Sequence, residues 1–149
     1  MNRRIILCLT TLMTGLVSGV PSFAAETEAT AVLIAHPKFP RKTLSEKEFS
    51  SIMLGKDVKI DAVRARPFVL GKGASCRQSF FSLMKLSEKE AVGRWISLSF
   101  SGAGTAPEII ETEIEMIAKI KSTAGAVGFV CSGTEIGSVK GLQIVNLER

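Results

Sequence analysis

"VLGKGASCRQSF", residues 69–80, is the stretch on which the reading of this chain turns. Val69 and Leu70 suit the end of a buried strand, Gly71 to Ser75 is a small-residue loop around Lys72, and Arg77 to Phe80 begins a helical pattern. A strand that passes through such a loop into a helix is half of an α/β unit. The loop can also hold an anion, because a helix N-terminus has unpaired N–H groups and a partial positive charge. Gly71 and Gly73 permit close backbone approach. Lys72 and Arg77 supply charge, and the Arg77 guanidinium can grip an oxyanion with two parallel bonds. Ser75 either donates to that oxyanion or caps the helix, so a plain strand-to-helix turn stays open as the alternative.

Outward from this stretch, strands and helices alternate. "AVLIAH" (Ala31–His36) is a buried-type strand closed by Pro37 and Pro40. Leu44 to Leu54 reads as a helix with Ser45 and Glu48 as a capping box and Phe49, Ile52 and Met53 as its apolar face; Gly55 stops it. The same letters, "LSEKE", recur at Leu86–Glu90 and open a helix whose core face is Val92, Trp95, Ile96 and Leu98. Val58–Ile60 and Pro67–Leu70 are expected strands, and Cys76–Lys85 a helix with Phe80, Phe81 and Met84 inward. A second Gly-rich loop, "FSGAGTAP" (Phe100–Pro107), offers Ser101 and Thr105 as further donors to the same ligand. Pro107 then suits the first turn of a helix over Glu108–Lys121, with Ile110, Ile114, Ile117 and Ile120 at helical spacing. Gly125 ends it, and "AVGFV" (Ala126–Val130) and "LQIVNL" (Leu142–Leu147) are strands. The fold class is α/β with a mixed, largely parallel sheet flanked by helices, whose ligands belong beyond the carboxyl ends of the strands.

Residues 1–24 have the layout of a secretory signal peptide: Arg3 and Arg4, an apolar run over Ile5–Val20, and small Ser22 and Ala24 before the cleavage point. Cleavage there leaves residues 25–149, 125 in all, enough for one domain with a real core and with no further segment able to span a membrane. Leu7 before Cys8 is too large for a lipoprotein cleavage site. Seventeen basic and fourteen acidic residues then remain, a net charge of +3 with no long basic run and no tyrosine. That balance does not point to nucleic acid, and it suits a small anionic ligand. The remaining cysteines, Cys76 and Cys131, are in an exported chain a disulfide candidate; there is no CxxC, and a single histidine, His36, makes a metal cluster unexpected.

The order of pieces resembles the small, single-domain relatives of phosphate ABC-transporter substrate-binding proteins. "VLIAHPKFPRKTLSEKEFSSIMLGK" (Val32–Lys56), "RPFVLGKGASCRQSFFSLM" (Arg66–Met84), "RWISLSFSGAGTAPEII" (Arg94–Ile110) and "IKSTAGAVGFVCSG" (Ile120–Gly133) carry the likeness. The resemblance implies a single lobe of the type II periplasmic-binding fold, without catalytic residues or cofactor. It implies a periplasmic or otherwise exported location, a phosphate-like ligand and a membrane transporter as partner. In larger relatives two lobes close on the oxyanion, and one supplies a turn that caps a helix; "GKGASCRQSF" stands at that turn. Gly73, Ser75, Arg77 and Lys72 are therefore the first candidate ligand residues, with Ser101 and Thr105 second. Two other readings compete: an envelope interaction module with no small ligand, and a thiol enzyme built on Cys76.

Overall fold

The computed structural model describes residues 29–134 and 141–148. The expected signal segment and Cys8 lie outside them. Thirteen elements follow in chain order: β1 (Ala31–Ala35), β2 (Thr43–Ser45), α1 (Glu46–Met53), β3 (Lys59–Ile60), β4 (Val63–Arg64), β5 (Arg66–Leu70), α2 (Arg77–Leu83), α3 (Glu88–Ser101), β6 (Glu108–Ile110), α4 (Glu113–Ser122), β7 (Ala126–Cys131), β8 (Gln143–Ile144) and β9 (Asn146–Glu148).

Five strands form one mixed sheet in the order β6-β5-β7-β1-β8. It is parallel through β6, β5 and β7, and antiparallel where β1 meets β7 and β8. β7 is central and every residue of it is buried, which is why "AVGFVC" is apolar without alternation. Alternate residues nevertheless serve opposite layers. Phe129 stacks on Phe80 of α2 at 4.1 Å, and Phe80 meets Phe49 of α1 edge-on at 6.1 Å. On the other face Gly128 leaves room for α4: a Cβ there would stand 2.8 Å from both Ile120 Cδ1 and Met116 Sδ. The core is thus a sheet between α1 and α2 on one side and α4 on the other.

The repeated "LSEKE" is a repeated cap. Ser45 and Glu48 form a full capping box on α1, as do Ser87 and Glu90 on α3. Three expectations need correction. Residues 108–110 are not helix but the edge strand β6, parallel to β5, and Thr112 caps a helix that starts only at Glu113. Pro107 therefore precedes a strand, and Ile114 is exposed rather than part of the core. On α3 the buried face is Ala91 and Trp95, with Ile96 turned outward. "LQIVNL" is split at Val145: β8 joins the main sheet, whereas β9 pairs in parallel with β2.

Candidate functional site

The loop Gly71–Cys76 follows the carboxyl end of β5, where an α/β sheet places its ligands. It is held by a short chain of backbone bonds: Gly71 N–H to the Ile110 carbonyl, Ala74 N–H to that of Gly71, and Arg77 N–H to that of Ala74. The amide N–H groups of Lys72, Gly73 and Ser75 have no partner among the described residues. Lys72, Gly73 and Ser75 are exposed. Lys72 also lines a groove of about 820 Å³ together with Lys89, Val92, Trp95 and Ile109. Trp95 forms part of its wall and is fixed there, its indole N–H donating to the Met53 carbonyl at 2.9 Å.

Ser75 does not cap α2. The N-cap position is Cys76, without a side-chain cap bond, and the Ser75 hydroxyl instead faces Cys131 Sγ at 3.6 Å. Cys76 and Cys131 are joined by a disulfide, with Cα atoms 5.2 Å apart. The bond ties the loop directly to the end of the central strand, so Cys76 offers no thiolate and neither sulfur is free to hold a metal beside Glu113. The thiol-enzyme reading loses its nucleophile. His36 has a local role as well, its Nδ1 accepting the Lys38 N–H at 3.1 Å.

Arg77 is the largest departure from expectation. It is buried, and each nitrogen of its guanidinium already donates a hydrogen bond within the protein. Nε and Nη2 donate to Glu88 at 3.1 and 2.9 Å, Nη1 donates to the Leu70 carbonyl, and the group lies over the Phe81 ring at 5.1 Å. It locks the end of β5 to the start of α3. Glu111 adds a negative charge at the mouth of the loop: a Cβ on Gly71 would fall 2.6 Å from its Oε2. Neither Glu88 nor Glu111 is signalled by sequence spacing, since both reach the loop from other elements.

Ser101 and Thr105 do not join this site. Ser101 ends α3 and donates to the Leu98 carbonyl. Thr105 comes before β6, and β6 runs parallel to β5, so it stands at the opposite end of the strands from Gly71. It lines a separate pocket of about 290 Å³ with Lys56, Arg64 and Arg66. The two Gly-rich loops flank the sheet from its two ends.

No family model matches the chain, and no curated protein matches it. Solved structures do. An ABC-type phosphate transport receptor from Vibrio cholerae aligns over 81% of this chain and 47% of its own, with TM-score 0.55 and 15% identity. A putative phosphate ABC transporter substrate-binding protein with bound phosphate from Clostridium perfringens aligns over 80% and 45%, with TM-score 0.58 and 13% identity. PstS from Borrelia burgdorferi aligns over 80% and 47%, with TM-score 0.59 and 15% identity. The chain thus has the type II periplasmic-binding fold and spans about half the length of these neighbours.

Proposed function

We propose that the protein is an exported solute-binding protein of the phosphate-receptor type, whose Lys72–Ser75 loop takes phosphate or another small oxyanion. The observation that carries this reading is the set of three N–H groups, on Lys72, Gly73 and Ser75, that have no partner among the described residues and lie beyond the carboxyl end of β5. Lys72 adds an exposed cation on the same loop. The shared fold supports it, and the disulfide supports an oxidising compartment outside the cytoplasm. A membrane transporter is the matching partner, with residues 1–24 as the export signal.

Arg77 acts on this site from behind, as the brace of the loop. The described residues form one lobe, so water competes with every donor and affinity sits near about 1 mM, some 4 kcal/mol. Calorimetry with inorganic phosphate and sulfate at low ionic strength tests this, with Trp95 fluorescence as a second signal. Lys72→Gln should weaken phosphate binding about tenfold, the size of one charge-assisted contact. No saturable heat up to about 10 mM phosphate, well above that expected Kd, ends the small-ligand reading.

A second reading has its own support. Glu88 neutralises the buried cation, and the Glu111 carboxylate lies against Gly71, so the loop is less positive than a dedicated anion trap. An envelope interaction module without a small ligand tolerates both acids, and it is the reading that remains if phosphate and sulfate give no heat.

A further inference from the structure

We propose a second anion site, at the opposite end of the sheet from Gly71, for a compact ligand with two or more negative charges. The site is the pocket of about 290 Å³ where the chain leaving α1 meets the chain leaving α3. Its floor is two backbones in direct contact. Gly55 has φ +81°, and a Cβ there would fall 2.0 Å from the Thr105 carbonyl oxygen; a Cβ on Gly104 would fall 2.5 Å from that of Gly55. The Thr105 N–H donates to the Gly55 carbonyl at 2.9 Å. Only glycine fits at either position. The crossing holds Lys56 and Thr105, the next residue on each strand of chain, at fixed places on the rim.

Charge accounting marks the pocket as unfinished. Asp57 is paired with Arg64 at 3.0 Å, and Glu108 with Lys119 at 2.7 Å. The side chains of Lys56 and Arg66 are exposed and have no ion pair or hydrogen bond among the described residues. Two positive charges therefore face one concavity without compensation. The Gly71 groove has less to offer, since Arg77 is bound to Glu88, and Glu111 offsets one of Lys72 and Lys89. A ligand with a single charge satisfies only one of the two free cations. A dianion or trianion spans both, and the Thr105 hydroxyl is placed to donate to it.

Citrate and inorganic phosphate are the probes and acetate the control. Each is titrated into the oxidised ¹⁵N-labelled protein while the amide signals of Gly104 and Thr105 are followed beside those of Gly73 and Ser75. Saturable shifts at Gly104 and Thr105 are expected with citrate or phosphate, and none with acetate. Lys56→Gln with Arg66→Gln should raise the half-saturation concentration about tenfold or more, leaving the Gly73 and Ser75 response unchanged. Asp57→Asn releases Arg64 from its exposed pair and should tighten binding, a gain that damage to the fold cannot imitate. The proposal is overturned if Gly104 and Thr105 do not respond up to about 10 mM of either probe, or if neither substitution changes their response. The signals of Gly73 and Ser75 report on the other loop independently, so either site can fail alone.

Discussion

Arg77 shows how one residue changes meaning between sequence and structure. In a Gly-rich loop before a helix, a guanidinium reads as an anion fork. Folded, it is a buried brace that closes on Glu88 and the Leu70 carbonyl. Removing it leaves Glu88 without its counter-ion and a cavity against Phe81. Arg77→Ala should therefore cost about 2–3 kcal/mol of stability, less than a fully buried pair because Glu88 is partly exposed. Denaturant melts check this, and an unchanged midpoint would show that the brace carries no load. Lys72→Gln should leave stability unaltered, since Lys72 is exposed and bonded to nothing described. The contrast separates a residue that shapes the loop from one proposed to face a ligand. Glu88 lies eleven positions beyond Arg77 in the next helix, and no local pattern links the two.

At the scale of elements, what is local was legible. Both capping boxes are written within four residues, and both form. Ser45→Ala should cost about 1 kcal/mol. The boxes also set a pH response. Bonds from the Ser45 backbone and hydroxyl hold Glu48 below the usual carboxylate range, and bonds from the Ser87 hydroxyl and backbone do the same for Glu90. Native values below the unfolded one of about 4.3 mean that this stability is complete above that pH. It is lost as pH falls through the lowered native values. Glu48→Gln and Glu90→Gln should flatten the acid limb of a stability profile, and an unchanged slope would refute the assignment. β6 was illegible for the opposite reason. Pro107 and the spaced isoleucines fit a helix, but the edge of β5 offers Glu108–Ile110 a parallel partner, and tertiary pairing overrides a local preference. The same distance in sequence hid the separation of Ser101 and Thr105 from Gly71, because the direction of β6 is set by β5.

For the whole molecule, the disulfide is the longest-reaching constraint that the sequence suggested, because an expected export signal made the pairing reasonable. Cys76 and Cys131 lie 55 positions apart. Closing such a loop stabilises the fold by about 4 kcal/mol on the chain-entropy estimate. Reduction should lower the thermal midpoint by many degrees, and thiol titration of the unfolded, unreduced protein should find neither sulfur free. A midpoint indifferent to reductant would contradict the structure. Because the bond joins the Gly71–Cys76 loop to β7, the reduced protein should also bind phosphate more weakly than its loss of fold alone explains.

The strand order has a consequence in time. Among the described residues β1 pairs only with β7 and β8: Ala31 lies opposite Cys131, and Ile34 opposite Ile144. The parallel core pair, β5 with β7, likewise waits for residues 126–127. Folding of this kind has high contact order and is slow. During synthesis the central slot of the sheet stays empty until residues 126–131 have left the ribosome. A chain so wired remains open until these late strands are made, as the export proposed for it through a translocation pore requires.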